Sequence, residues 1–381
     1  MDYKQADILF QMAIEQKASD IYLTYSCPPC LRINDEISPL GDTLLSDEDL
    51  DKLLSDIIDE DKLDEFEATM EMNTAINWND RARFRVNAFK QQQHTAVVIR
   101  RIQTDIPTLD SLKLPKAYGQ LVMEKRGLVV VVGPTGSGKS TSLAAMLGYR
   151  NTYGHGHIIT IEDPIEFVHS HQGCIISQRD VGIDTYSYGL ALKNALRQCP
   201  DVVLIGEIRD RETMEHAVNF SETGHLVLAT LHAKNASQAI ERIVNFFPEE
   251  KHQQLLLNLS LNVRGILSQR LVKKLKGGGR SVVSEVMLNQ GLIRNLIEEG
   301  KPKEIKEIME KSRSLGMQTF EQALIDLYRA GEISEEVAIQ EADNPANLKL
   351  QIRHIKMEKP GATGAESEVT RHHFSIDNGE N

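Results

Sequence analysis

Leu128-Val-Val-Val-Val-Gly-Pro-Thr-Gly-Ser-Gly-Lys-Ser-Thr141 is the stretch from which the rest of the chain can be read. An aliphatic run runs straight into Gly-x-x-x-x-Gly-Lys-Ser, and Thr141 to Leu147 then reads as helical, the strand–loop–helix context that a phosphate-binding loop requires. Gly133, Pro134, Thr135, Gly136, Ser137 and Gly138 form a loop whose backbone N–H groups can turn inward around phosphate oxygens at a helix N-terminus. Lys139 adds a charge for the β- and γ-phosphates, the Ser140 hydroxyl can ligate Mg²⁺, and Thr141 completes the set. The motif specifies nucleotide binding. It does not separate kinase, GTPase, helicase or motor.

Outward from this stretch, further buried-type runs at Ile158–Ile161, Val202–Ile205 and Leu226–Thr230 alternate with helical patterns. Continuous aliphatic runs are what strands covered on both faces require, so the spacing predicts a parallel α/β sheet. After Lys251 the periodicity is mainly helical. Upstream, residues 1–104 read as a small α+β domain: Ile8, Leu9, Met12 and Ala13 share a helical face, and short strands flank Pro28-Pro29. Ser46 with Asp49 reads as a capping box, and Arg81–Lys90 with Thr95–Ile102 as a returning strand pair. Residues 105–118, with Pro107 and Pro115 and no periodicity, read as an interdomain linker to a second, nucleotide-binding domain over 119–345. Residues 346–381, polar and including Gly361-Ala-Thr-Gly-Ala-Glu-Ser-Glu368, read as a disordered tail in which His372-His373 is an incidental pair.

With 381 residues, 41% hydrophobic and 26% charged, the composition is that of a globular protein of at least two domains. No run approaches the ~20 apolar residues of a membrane span and Met1–Lys17 lacks a signal-peptide pattern, so the expectation is a cytoplasmic protein without direct membrane insertion. The formal charge of −12 argues against nucleic acid as a partner. Cys27-Pro-Pro-Cys30, Cys174 and Cys199 are too few and too scattered for a disulfide framework or a zinc site, and read as incidental cysteines.

The strand Val202–Ile205 ends in Gly206-Glu207, which places a carboxylate at the sheet edge where Mg²⁺ or its water shell must be held. Ile158–Ile161 leads to Glu162-Asp-Pro-Ile-Glu166. Hydrolysis needs a carboxylate that orients water and accepts its proton, a contribution of ~10²–10⁴ in rate, and Glu162, Asp163 and Glu166 are the candidates. His225 and His232 bracket Leu226–Leu231 with a seven-residue spacing that turns them to opposite faces of a strand, and His232, at the C-terminal end, is the one expected to face nucleotide.

These segments, in this order, resemble the type II/IV secretion superfamily of hexameric ATPases, and within it the type IV pilus retraction motors of the PilT/PilU kind. The resemblance spans roughly residues 1–345 and includes Ala18-Ser-Asp-Ile21, Arg83-Phe-Arg-Val-Asn87, the phosphate loop, Thr160-Ile-Glu-Asp-Pro-Ile-Glu166, Gly206-Glu-Ile-Arg-Asp210, Thr230-Leu-His232, Lys276-Gly-Gly-Gly-Arg280, Ile293-Arg-Asn-Leu-Ile297 and Ser314-Leu-Gly-Met-Gln-Thr319. It implies a PAS-like N-terminal domain on a RecA-like core with a helical C-terminal part, assembled as a homohexamer that binds ATP and Mg²⁺ in its interdomain clefts. It implies Glu166 as the catalytic carboxylate, Glu207 as the Walker B acid, and Arg83, Arg85 and Arg100 as cations reaching nucleotide from the N-terminal domain. The paired Cys-x-x-Cys motifs of assembly and secretion members are missing, which points to retraction. Arg197-Gln-Cys199, Tyr22 and Asn245-Phe-Phe-Pro-Glu249 look like the accessory retraction kind, PilU. Implied partners are a PilT-type retraction ATPase and the inner-membrane platform protein of the pilus machine, with the ring peripheral at its cytoplasmic base.

Overall fold

The computed structural model describes residues 6–33, 36–78, 82–102 and 104–358. The first of two units opens with α1 (Ala6–Glu15) and strands β1 (Asp20–Thr24), β2 (Cys30–Ile33) and β3 (Glu36–Pro39). Helices α2 (Asp47–Ile57) and α3 (Glu60–Thr69) follow, then β4 (Glu71–Trp78), β5 (Ala82–Gln91) and β6 (His94–Ile102). The strands form one antiparallel sheet in the order β3-β2-β1-β6-β5-β4. One sheet face packs with the helices around Leu9, Phe10, Phe84, Val86 and Ile99. Phe10 stacks on Phe84 with ring centroids 4.5 Å apart. The Ser46 capping box is formed, with Ser46 Oγ accepting from the Asp49 N–H and the Asp49 carboxylate accepting from the Ser46 N–H. Along β5, Phe84, Val86 and Ala88 are buried in this core while Arg83, Arg85 and Asn87 alternate onto the opposite face.

The second unit has its own core. It comprises α4 (Lys116–Val122), β7 (Gly127–Val132), α5 (Lys139–Tyr153), β8 (Gly156–Glu162), β9 (Cys174–Asp180), α6 (Tyr188–Ala195), β10 (Val202–Ile205), α7 (Arg211–Glu222) and β11 (Leu226–Leu231). Then come α8 (Ala236–Asn245), α9 (His252–Asn262), β12 (Val263–Lys273), β13 (Arg280–Leu288), α10 (Leu292–Glu298), α11 (Ile305–Lys311), α12 (Phe320–Arg329), α13 (Glu335–Glu341) and α14 (Pro345–Glu358). The sheet order is β13-β12-β7-β11-β10-β8-β9, parallel except for the antiparallel edge strand β13. Every residue of β7, β10 and β11 is buried, as helices on both faces demand. Strand β11 lies between the phosphate-loop strand and β10, the order of a RecA-like core.

Three expectations need correction. The chain after Lys251 is not simply helical: β12 and β13 form a long hairpin that completes the sheet beside β7. Its leucines and valines serve a pleated surface, with Ile266 and Leu267 in the main core and Val272 and Val283 in a separate cluster. The segment 105–118 is a linker only in its first part, because Leu109, Ala117 and Tyr118 belong to the core of the second unit and α4 begins at Lys116. The tail expected to be disordered from residue 346 begins instead with α14, whose Leu348, Ile352 and Ile355 pack with Phe320, Leu324 and Ile333. Their i, i+4, i+7 spacing puts the three on one helical face. Arg81, Gly361–Glu368 and the pair His372-His373 lie outside the described residues.

Candidate functional site

The phosphate loop leaves β7 at Gly133, where the backbone runs with φ +157° between two walls. A Cβ there would stand 2.5 Å from the Gln269 carbonyl oxygen and 2.5 Å from Ser137 Oγ, so the approach of β12 and of the loop to itself excludes any side chain. Gly138 takes φ +85° as the N-cap of α5, a left-handed conformation that L side chains rarely adopt. The loop is folded over its own lysine: Lys139 Nζ donates to the carbonyls of Gly133 at 2.9 Å and Pro134 at 3.0 Å. Burial lowers the Lys139 pKa while the carboxylates of Glu207 and Glu166 oppose that shift. Ser137 Oγ is buried and has no hydrogen-bond partner among the described residues, within a loop of the kind that surrounds an anion.

Acidic side chains gather beside the first turn of α5. Ser140 Oγ donates to Glu166 Oε1 at 2.9 Å, which ties the first turn of α5 to the loop that follows β8. The Asp163–Pro164 bond within that loop is cis. Glu207, just past β10, is held on both oxygens: Oε1 lies 3.1 Å from His232 Nε2, and Oε2 accepts from Arg209 Nε at 2.9 Å and Nη2 at 2.8 Å. Glu162 ends β8 with Thr160 Oγ1 at 2.6 Å and Gln178 Nε2 at 3.4 Å, and burial pushes its carboxyl up to about 7 despite these donors. Tyr188 sits beside the same acids, its phenol pushed up by burial and by the charge of Asp163. A cleft of about 50 Å³ is lined by Ser140, Glu162, Asp163, Glu166, Tyr188 and Glu207. A larger hollow of about 830 Å³, between residues 106–110 and the C-terminal half of α5, contains no phosphate-loop residue and stands apart from this chemistry.

The N-terminal sheet turns cations to the same region. Arg85 and Arg100 face each other across β5 and β6. Arg100 Nε donates to the buried Asp20 at 2.7 Å, and that hydrogen bond first, with the Glu166 charge as a smaller contribution, raises the Arg100 pKa. Arg85 and Arg83 act on the charge of Asp180 at the end of β9.

The structure thus brings Lys139, Ser140, Glu166, Glu207 and His232 together at the C-terminal ends of β7, β8, β10 and β11, with Arg100 within electrostatic reach of Glu166. Of the three acids left open on strand position, Glu166 is the one bonded to the phosphate-loop serine, whereas Glu162 turns to Thr160 and Gln178. His225 stands at the other end of β11, with Nδ1 3.2 Å from the Phe220 carbonyl oxygen. Sequence reasoning missed Arg209, Tyr188, Gln178 and Asp180. Arg209 was visible only as a charge after a strand, since its return onto Glu207 depends on the turn that follows β10. Cys27, Cys30, Cys174 and Cys199 are all unpaired thiols.

Comparison with known proteins agrees with this geometry. The family described as "Type II/IV secretion system protein" matches residues 4–294. The type IV pilus ATPase PilU of Pseudomonas aeruginosa is 50% identical over 345 residues, 91% of this chain and 90% of that protein. The type IV pilus retraction ATPase PilT of the same organism is 40% identical over 340 residues, 89% of this chain and 98% of its own length. A crystal structure of the pilus retraction motor PilT with bound ADP superposes with a TM-score of 0.85 at 40% identity, covering 91% of this chain and 99% of that one. The chain therefore belongs to the family of type II/IV secretion system proteins, in the branch that holds the type IV pilus ATPases PilU and PilT.

Proposed function

We propose that the chain is an ATP-hydrolysing motor of the type IV pilus machine that powers or assists pilus retraction and twitching motility. The observation that carries this reading is the Ser140–Glu166 hydrogen bond, which joins a phosphate-loop hydroxyl to the carboxylate of the loop after β8. When nucleotide enters, Lys139 exchanges its two carbonyl partners for phosphate oxygens and the loop N–H groups take the remainder. Glu166, released from Ser140, orients the attacking water and accepts its proton. Ser140 and Glu207 are oxygen donors of the kind Mg²⁺ takes, and the ion, bound with them and the phosphates, supplies charge neutralisation. His232 and Arg209 hold Glu207 in place. Arg83, Arg85 and Arg100 approach from the N-terminal domain as it closes, and a guanidinium at the transferred phosphoryl stabilises transition-state charge by ~10³–10⁵ in rate in other nucleotide hydrolases.

In this reading six copies form a ring at the cytoplasmic base of the pilus machine, acting on the inner-membrane platform protein and working beside a PilT-type ring. No described helix is long and apolar enough to cross a membrane. The test is surface pilin and surface motility in a clean deletion of the gene. Pili retained or increased with motility lost are expected; absence of pili would make this an assembly ATPase. Greater identity to PilU than to PilT, 50% against 40%, favours a second reading, a nucleotide-gated module that stabilises a partner motor without its own turnover. That reading requires Glu166→Gln to restore motility to the deletion strain as well as the natural chain does.

A further inference from the structure

Asp180 ends β9, the edge strand, directly opposite Glu162 in the parallel register. The residue is 1% exposed. Oδ2 accepts weakly from the Ile165 N–H at 3.4 Å, and Oδ1 has no hydrogen-bond partner among the described residues. On the face of the N-terminal sheet opposite its core, Arg83 Nε is likewise buried and has no hydrogen-bond partner among the described residues. Buried polar groups left unpaired are rare because each forfeits its hydration, and a charged one forfeits most. Here one nitrogen of a half-buried guanidinium and one oxygen of a buried carboxylate are both orphaned, one on each domain. They already sense each other: burial pushes the Asp180 carboxyl up, and the Ile165 N–H and the guanidiniums of Arg85 and Arg83 pull it back.

We propose that Arg83 and Asp180 form a buried ion pair when the N-terminal domain closes over nucleotide, which makes Asp180 a positioning residue for the arginines of that domain. The lattice of the sheet explains the effect. Arg85 is two residues from Arg83 on the same face of β5, about 7 Å away, and Arg100 is its direct cross-strand partner. Fixing Arg83 therefore fixes where both neighbours stand relative to Glu166, which lies four residues beyond the residue that faces Asp180 across β8 and β9. The proposal rests on the reading of the chain as an ATPase whose domains close on nucleotide.

The single tryptophan, Trp78 of β4 and adjacent in register to Arg83, supplies a native donor for energy transfer to a mant-labelled nucleotide. Asp180→Asn, Arg83→Gln and the double variant are compared with the natural chain. The expected result is unchanged affinity of Asp180→Asn for the mant analogue of non-hydrolysable ATP, with Trp78 transfer to it reduced by each substitution. Turnover should fall about tenfold or more in each single variant, with the double variant no worse than either single. Melting of nucleotide-free Asp180→Asn should stay the same or rise, since the substitution removes an unpaired charge; a merely structural aspartate would lower it. Natural-level energy transfer in the single variants, losses that multiply in the double, or a fall in nucleotide-free melting temperature would each overturn the proposal. Failure of the natural chain to bind the mant nucleotide would instead overturn the ATPase reading.

Discussion

Lys139, Glu166 and Glu207 each hold a protein partner that nucleotide would displace or share: two loop carbonyls, the Ser140 hydroxyl, and the His232–Arg209 pair. The consequences of removing each differ. Lys139→Ala takes away the charge that meets the phosphates and should abolish binding of mant-ATP in a fluorescence titration. Glu166→Gln retains size and one acceptor oxygen for Ser140, so binding should persist while turnover falls ~10²–10⁴-fold in a phosphate-release assay; turnover at the natural rate would remove Glu166 from its assigned role. The phosphate-loop residues were legible in sequence because their chemistry is local, a loop and the first turn of one helix. His232 was legible from its place at the C-terminal end of a strand, where ligands bind in open α/β sheets. Asp180 and Tyr188 were not, because each acts on groups from a distant segment that only the sheet order β11-β10-β8-β9 makes neighbours, and Arg209 was not, because its return onto Glu207 depends on the turn that follows β10.

At the scale of elements, β7, β10 and β11 announced themselves as mainly aliphatic runs, buried on both faces. Strand β9, Cys174–Asp180, did not, since an edge strand exposes Ile175 and carries Ser177, Gln178 and Arg179. Strands β12 and β13 hide behind leucine spacings that also suit a helix. They meet α8 through Glu285, whose Oε1 accepts from the Ala236 N–H at 2.8 Å and from Ser268 Oγ at 2.9 Å. Burial pushes this carboxyl up from 4.5 to about 7. The folded chain then keeps a proton that the unfolded chain releases, so stability declines as pH rises through that window and stays reduced above it, by roughly 3 kcal/mol at ~1.4 kcal/mol per unit. Glu285→Gln keeps the accepting oxygen without the charge. Its urea midpoint should match the natural chain near the lower end of the window and exceed it above the upper end; a parallel pH dependence of the two proteins would show that Glu285 does not titrate. Helix α14 was obscured by the glycine-rich composition of the segment after it. Leu348, 0% exposed in a cluster with Phe320 and Ile352, should cost ~2–5 kcal/mol on truncation to alanine, with mant-ATP affinity unchanged because that cluster is separate from the core beneath the phosphate loop.

For the whole molecule, the decisive fact is that the hydrophobic cores of the two units share no residue: one lies between Ala6 and Ile99, and the other unit has its main core between Leu109 and Met317 and a separate cluster between Val272 and Ile355. Each unit buries its own apolar surface, which makes their relative position a matter of polar contacts and nucleotide rather than of packing. The phosphate loop, Glu166, Glu207 and His232 all belong to the second unit, whereas Arg83, Arg85 and Arg100 belong to the first. Binding and turnover should therefore separate physically. A chain of residues 104–358 should bind mant-ATP with an affinity near that of the full protein, yet hydrolyse ATP ~10³-fold more slowly or worse for want of a guanidinium at the transferred phosphoryl. Because truncation also removes surface that a ring would use, the full-length Arg85→Gln variant belongs beside it, with mass measured by light scattering. Loss of turnover in both, with the point variant assembled like the natural chain, assigns the effect to the cation. Full turnover by the truncated chain would mean that the second unit completes its site alone, and that domain closure moves the load without taking part in the chemistry.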